Sequence, residues 1–165
     1  MRKYLVVDSS VLIALTSKGK LDGCLRHWKD EGYEVVIPRA IAEEVIDEPK
    51  SFAQEIMDRS PILAGKIVDS VNRIDSVVNQ GLIKVEAVNY MKCSKVMDNV
   101  RRHLSGLEVK PEHAIKKGDP EFIALVLQLY GEAKERVFIS TLDKGILRTL
   151  KAFSGEVEYV VLEAL

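Results

Sequence analysis

The chain has 165 residues, of which 47% are hydrophobic and 30% are charged. This composition is ordinary for a folded globular protein and unlike that of a disordered chain. The length falls in the usual range of one domain, and it is enough to bury a core without disulfide or metal staples. A formal net charge of −1 excludes a general positive field, so a nucleic-acid partner would have to be attracted by a local basic patch.

The first residues have only a superficial likeness to a signal peptide. Arg2 and Lys3 precede an apolar stretch, but Asp8, Ser9 and Ser10 interrupt it before it reaches the length of an apolar signal region. Nothing later in the chain has the length and apolarity of a membrane span. The two cysteines lie far apart and fit neither a CxxC pair nor a disulfide framework. We therefore expect a cytoplasmic protein with no membrane partner.

The first half of the chain predicts strands that alternate with helices. Apolar runs predict a strand at residues 4–7 and another at 34–37. Between them lie a run compatible with a helix and a second helix that carries four residues at helical spacing, Leu21, Cys24, Leu25 and Trp28. A short helix is predicted at 41–45, and Pro49 is expected to stop it. The next helix should run along the apolar face from Ile62 to Val78, with Ser60 as its cap and Pro61 in its first turn.

The second half continues the alternation. We expect a strand at 82–88, a helix at 96–104 that stops near Gly106, and a strong helix that Asp119 and Pro120 open. A strand at 137–140, a helix at 145–150 and a strand at 157–162 complete the pattern. Five strands separated by helices favour right-handed crossovers and a mostly parallel sheet. With no repeat, linker or low-complexity tract, the chain is predicted to be one α/β domain over residues 1–165.

Four acidic residues fall where such a sheet would gather them. They are Asp8, Glu44, Asp119 and Asp143. Asp8 ends the first strand, Asp143 follows the fourth, Glu44 lies in the helix after the second, and Asp119 begins the helix that leads into the fourth. Sites in open α/β sheets form beyond the carboxyl ends of the strands. Each acid also has a structural explanation, since the three aspartates could cap the turns or helices that follow them and Glu44 could be a solvated helix residue.

A cluster of these acids would need a cation. Two carboxylates about 4 Å apart repel by about 4 kcal/mol at an effective dielectric near 20, so several of them raise one another's pKa or bind a metal. Oxygen ligands without a partnering Cys or His favour Mg²⁺ or Mn²⁺ over Zn²⁺. Such an ion would offset phosphate charge and lower the pKa of a water for in-line attack, so none of the three histidines is needed as a base.

Other phosphate chemistries fit the sequence less well. Neither GxxxxGK[ST] nor a GxGxxG after the first strand is present, which excludes the P-loop and dinucleotide-binding classes. A phosphatase with an aspartyl nucleophile would have a second Asp two positions after Asp8, where Ser10 stands.

At this point the sequence resembles the PIN-domain family. Four blocks carry the resemblance and come in the family's order: residues 5–12, residues 36–45, Gly118 and Asp119 with residues 123–125, and residues 139–143. The resemblance implies a three-layer α/β sandwich with a five-stranded, mostly parallel sheet of order 3-2-1-4-5. It also implies a metal-dependent endoribonuclease that acts on single-stranded RNA, with Mg²⁺ or Mn²⁺ as its cofactor.

The resemblance also assigns roles to residues. Asp8, Glu44, Asp119 and Asp143 would be both the metal ligands and the catalytic residues, and Ser9 and Thr141 would support the site or touch a phosphate. The basic residues near the expected edge are candidate phosphate contacts, with a solvated surface role equally open. They are Arg39, Lys116, Lys117, Lys144 and Arg148. A helical wheel does not choose between Glu43 and Glu44, and only the family pattern selects Glu44.

The chain departs from the small toxin-like members between residues 49 and 110, where an enlarged helical insertion is expected. That departure leaves a toxin role, with an antitoxin-like protein partner, in doubt. The insertion's helix from Ile62 to Val78 offers a face for a homodimer, unless that face packs on the domain's own sheet. The competing interpretation of function is a catalytically silent PIN-like module that binds RNA or a protein partner.

Overall fold

The computed structural model describes residues 3–133, 137–154 and 158–159. Its sheet contains β1 (Lys3–Val7), β2 (Tyr33–Pro38), β3 (Lys84–Glu86) and β4 (Val137–Ser140). Each neighbouring pair is parallel, in the order β3-β2-β1-β4. The α/β class and this order are confirmed. Glu158–Tyr159, a two-residue β5, pairs in parallel with β4, and the rest of the strand expected at 157–162 lies outside the described residues.

Helices connect the strands on both faces of the sheet. In chain order they are α1 (Ser9–Ser17), α2 (Leu21–Asp30), α3 (Arg39–Ala42), a π-helical turn (Glu43–Asp47), α4 (Glu48–Ile56), α5 (Pro61–Asn79), α6 (Tyr90–Glu108), a 3₁₀ turn (Glu112–Ala114), α7 (Gly118–Ala133) and α8 (Lys144–Ser154). Among the described residues, no helix combines the length and apolarity needed to cross a membrane.

The expected helix stop at Pro49 is wrong, because α3, the π-helical turn and α4 follow one another without a break from Arg39 to Ile56. In an α-helix, a proline lacks the N–H of the usual hydrogen bond and its ring meets the carbonyl four residues earlier. Here the turn directly before Pro49 is wider, since the N–H of Glu48 donates to the carbonyl of Glu43, five residues back. The wider turn accommodates the ring, and the helix continues.

Three other expectations need correction. The strand expected at 82–88 covers only Lys84–Glu86. The helix expected at 96–104 runs from Tyr90 to Glu108, so Gly106 does not stop it. Ser60 does precede α5 and Pro61 does begin it, but the Ser60 side chain makes no capping hydrogen bond. Local sequence propensity did not predict these boundaries and this cap correctly, because tertiary packing of the apolar residues overrides it.

The sheet has a separate apolar core on each face, because successive residues of a strand point to opposite sides. On β1, Val6 contributes to the core beneath α6, α7 and α8, while Leu5 and Val7 contribute to the core beneath α1, α2 and α5. Helix α5 buries Ile74 and Val77 in the second core. Ile62 and Leu63, expected on the same face, are instead 78% and 50% exposed.

The fully buried Leu5 offers a test of this core. Leu5→Ala should reduce the free energy of unfolding by about 2–5 kcal/mol, because it removes apolar contacts and leaves a cavity in the central strand. The control is Leu63→Ala, the same change at a half-exposed position, which should cost less than about 1 kcal/mol. Urea unfolding followed by circular dichroism measures both, and equal losses would contradict this placement of the core.

Candidate functional site

The four acids predicted from the sequence lie along one open cavity of 360 Å³ at the carboxyl edge of the sheet. Asp8 follows β1, Glu44 lies in the π-helical turn after β2, Asp119 is the second residue of α7, and Asp143 directly precedes α8. The four residues are far apart in sequence and come from four separate segments. The parallel sheet brings these segments together because it places the carboxyl ends of β1, β2 and β4 at one edge.

Asp8 is the most rigidly held of the four. Its side chain is 2% exposed and accepts hydrogen bonds from the Ser9 N–H at 2.8 Å, from the Ser10 hydroxyl at 3.0 Å and from the Thr141 hydroxyl at 2.9 Å. Burial raises the pKa of Asp8, these hydrogen bonds oppose that effect, and the charge of Asp143 adds to it. The hydroxyls therefore stabilise a buried negative charge at the end of the central strand.

Asp143 is joined to Asp8 through Thr141. The Thr141 hydroxyl donates to Asp8 and accepts a hydrogen bond from the N–H of Asp143 at 3.0 Å. The Asp143 carboxylate accepts a hydrogen bond from the N–H of Gly145 at 2.7 Å, in the first turn of α8. Asp8 and Asp143 therefore combine the helix-capping role and the cavity-lining role, which the sequence analysis had weighed as alternatives.

Glu44 is half-buried against the start of α7. The Ser9 hydroxyl lies 3.4 Å from a carboxylate oxygen of Glu44 and also 3.4 Å from one of Asp8, so it is shared between the two acids. A Cβ added to Gly118 would lie 2.7 Å from the other oxygen of Glu44, so a side chain at position 118 would force this carboxylate to shift. Burial raises the pKa of Glu44, the charge of Asp8 raises it further, and Lys116 lowers it.

Asp119 carries the largest effect of crowding. Its pKa is raised to about 7, first by burial and then by the charges of Asp8, Asp143, Glu108 and Glu44 in that order. Because α7 begins at Gly118, Asp119 lies within the first turn and does not hold the capping position expected for it. A carboxyl group that resists ionisation among other acids is the electrostatic signature of a site that a cation would complete.

The donor set suits a hard cation. Among the described residues, no three His, Cys, Asp or Glu side chains converge closely enough to coordinate an ion. Four carboxylates along one cavity repel one another, and a bound cation would offset that repulsion. The polar ligands that line the cavity are carboxylate and hydroxyl oxygens, without Cys or His, and this chemistry fits Mg²⁺ or Mn²⁺.

The structure adds residues that sequence analysis missed. Glu108, Lys110 and Lys116 also line the cavity, and only Lys116 had been considered. Between the first two, Val109 adopts a left-handed conformation (φ 53°), which is unusual for a β-branched residue. The Ser105 hydroxyl and carbonyl both bond to the backbone of Lys110. This turn places Glu108 and Lys110 in the lining of the cavity, and no local sequence motif predicted it.

Four of the five predicted basic contacts do not line the cavity, namely Arg39, Lys117, Lys144 and Arg148. Arg39 and Lys144 are exposed, and the Lys117 ammonium lies 5.8 Å from the centre of the Tyr90 ring. Of the basic residues near the edge, Lys110 and Lys116 are the ones placed to meet a phosphate in the cavity.

A buried carboxylate behind the cavity connects the helices that carry its acids. Glu121 is 2% exposed, accepts a hydrogen bond from the Ala40 N–H at 3.1 Å and accepts another from the Tyr90 hydroxyl at 2.6 Å. It therefore caps the N-terminus of α3, one turn before Glu44, from the same first turn of α7 that carries Asp119. Nothing in the sequence around Glu121 predicted this capping role, because a glutamate two residues after Asp119 could equally have faced solvent.

Glu43 and Glu44 are separated by the π-helical turn. Glu44 lines the cavity, whereas Glu43 lies toward Tyr90. Burial, the hydrogen bond to Glu121 and the charges of Glu121 and Glu43 raise the pKa of Tyr90 to about 12. The wheel placed the two glutamates on opposite flanks of the apolar face, and only the packing of the helix on the sheet decides which flank meets the cavity.

All residues of the site lie within the part of the chain that matches one protein family. A family model described as Halobacterial PIN domain matches residues 1–160. No curated protein matches the chain significantly. The match includes the four carboxylates of the cavity, the turn that carries Glu108 and Lys110, and the helices on both faces of the sheet.

The raised pKa of Asp119 gives a prediction about stability and pH. A carboxyl group with a pKa of 3.8 when unfolded and about 7 when folded binds more protons in the folded state between these pH values. Its contribution to stability is therefore lost as the pH rises from about 4 to about 7. In EDTA at pH 8, Asp119→Asn should be more stable than the parent by about 1–2 kcal/mol after allowance for solvent screening.

Urea unfolding of the parent and Asp119→Asn at several pH values from 4 to 8 measures this difference. It should be small at pH 4 and grow toward pH 8. The exposed Asp75→Asn serves as the control and should follow the parent throughout. An Asp119→Asn protein that is less stable than the parent at pH 8 would show that Asp119 makes a favourable contact in its ionised form.

Proposed function

The chain belongs to the PIN-domain family, and from this premise we propose that it is a metal-dependent endoribonuclease that hydrolyses phosphodiester bonds in single-stranded RNA. PIN domains are generally nucleases. The observation that carries the proposal is the single cavity along which Asp8, Glu44, Asp119 and Asp143 converge from four separate segments. Structural capping explains Asp8 and Asp143 in part, but it explains neither Glu44 nor Asp119.

In this proposal the four carboxylates hold Mg²⁺ or Mn²⁺. When bound, the ion supplies positive charge beside the phosphate and lowers the pKa of a water molecule. Opposite charge lowers a carboxyl pKa, so the raised pKa of Asp119 belongs to the metal-free protein, and Asp119 is assigned to binding rather than to proton transfer. Ser9, Ser10 and Thr141 keep Asp8 oriented through their hydrogen bonds.

The remaining charges of the cavity suit an RNA backbone. The ammonium groups of Lys110 and Lys116 bind phosphate oxygens on the side of the cavity that α6 and the segment before α7 provide. This local basic pair takes the place of the general positive field that the net charge of −1 does not provide. Glu108 also lines the cavity, and its negative charge opposes the close approach of a phosphate.

The competing function is a PIN module that binds RNA or protein without cutting it. It is favoured by the spacing of the acids, no three of which converge closely enough to coordinate an ion among the described residues. Metal binding separates the two functions. Calorimetric titration with Mn²⁺ should show a saturable site in the parent that Asp119→Asn weakens, whereas a silent module shows no saturable site.

Cleavage itself is the direct test of the proposal. The purified protein should cleave a single-stranded RNA in Mg²⁺ or Mn²⁺ and lose this activity in EDTA. Asp8→Asn should lower the rate by more than about 100-fold, because loss of a direct ligand costs more than loss of an outer partner. Circular dichroism checks its fold, and the exposed Asp75→Asn is the matched control. Activity that survives both EDTA and Asp8→Asn would contradict the proposal.

The adjacent pair of glutamates provides a finer test. Glu44→Gln should lower the cleavage rate by about 100-fold and weaken Mn²⁺ binding, because this carboxylate lines the cavity. Glu43→Gln should cleave at nearly the parental rate, because Glu43 does not line the cavity. Single-turnover cleavage at saturating Mn²⁺ compares the two variants. The reverse result would assign the metal ligand to Glu43.

A further inference from the structure

A second pocket adjoins the acidic cavity on the side of α1 and α5. It has a volume of 270 Å³ and lies where α1, α5 and the π-helical turn meet. Its walls are largely apolar and include Val45, Pro49, Ile67, Val71 and Ile74. We call it the apolar subsite.

The apolar subsite and the acidic cavity are adjacent, because two residues line both. Glu44 and Ile13 line both of them, so the proposed metal ligand forms the partition and Ile13 the lip. Ile13 is 50% exposed although it sits beside a charged cavity. A ligand that reaches from the acids across Ile13 enters the apolar subsite directly.

The two ends of this path have different chemistry because they come from opposite faces of the sheet. Glu108 and Lys110 lie at the end of α6, which packs on one face with α7, whereas α1 and α5 pack on the other. The path is therefore charged on the first side and apolar on the second. A ligand that fits it is anionic at one end and has a flat apolar group within one repeat of the charge.

RNA has this chemistry in a single nucleotide. With a phosphate at the acids, a neighbouring base would occupy the adjacent apolar subsite. The subsite lies just below the usual range of about 300–1,000 Å³ for drug-sized ligands, which suits one planar base. Ser17 and Ser70 offer hydroxyls on two walls for the edge of the base, and exposed Lys66 at the rim complements the following phosphate.

We propose that the apolar subsite binds one unpaired nucleobase next to the scissile phosphate and thereby selects single-stranded RNA. A base held between α1 and α5 is removed from any duplex, so pairing at this nucleotide opposes binding. This inference rests on the proposed ribonuclease function, because the phosphate at the acids sets the position of the base.

The test fills the subsite without touching the acids. Ser70→Trp places a large ring into the subsite from α5, and Ser17→Trp does so from the α1 wall. Both positions are exposed, so circular dichroism should show parental folds. The matched control is Ser76→Trp, an exposed serine of α5 outside the subsite. The substrates are labelled hexaribonucleotides with one mapped cleavage site, either intact or with one base removed beside that site.

For the parent and Ser76→Trp, removal of the correct base should lower kcat/KM by about tenfold, the usual scale for one bound base. Ser70→Trp and Ser17→Trp should lower kcat/KM for the intact substrate by a similar factor and respond little to removal of the base. The inference is overturned if the filled variants cleave the intact RNA as the parent does. It is also overturned if they lose as much as the parent when the base is removed.

A binding assay tests the subsite even if the parent protein cleaves no RNA. That failure to cleave would overturn the proposed function alone. Fluorescence anisotropy with the same oligonucleotides, in an Asp143→Asn background, should show about tenfold weaker binding for Ser70→Trp than for Ser76→Trp. Equal affinities overturn the base subsite. Light scattering that shows a dimer lost in Ser70→Trp, with RNA affinity unchanged, would assign the pocket to a protein interface and overturn the inference.

Discussion

The site depends on a carboxylate that is buried at the end of the central strand. Asp8 is almost inaccessible to water, and a lone ionised carboxylate in such a place is costly. Hydrogen bonds from Ser9, Ser10 and Thr141 stabilise it, and the last of these crosses from β1 to the segment after β4. The same threonine hydroxyl receives the N–H of Asp143. One buried charge thus fixes the relative positions of two strand ends and two helix starts.

The other acids are positioned from α7. Its first turn presents Asp119 to the cavity and Glu121 to the far side, where Glu121 caps α3 and so braces the turn that carries Glu44. Gly118, one residue earlier, leaves the space that the Glu44 carboxylate fills. The carboxylates of this cluster repel one another, and their charges contribute to the raised pKa of Asp119. Folding energy from the two cores holds these like charges together, and a cation would release that repulsion.

The wide turn before Pro49 links the two pockets. Glu44 lies in this π-helical turn and lines both the acidic cavity and the apolar subsite. π-helical turns of this kind are frequent at functional sites. The segment that carries the helix past Pro49 therefore also contributes Glu44 and Val45 to the apolar subsite.

The sequence by itself determined the α/β class, because apolar period and turn residues are local signals. Its ordered acidic blocks pointed to the family, and the strand order from β3 to β4 was implied by that resemblance. The sequence also pointed to the segments that carry the four acids. Only the tertiary structure brought Glu108 and Lys110 to the cavity, gave Glu121 its partner and carried the helix past Pro49. These features depend on contacts between residues as much as 81 positions apart, and on helix packing that overrides local propensity. Such contacts leave no mark on the sequence near either partner.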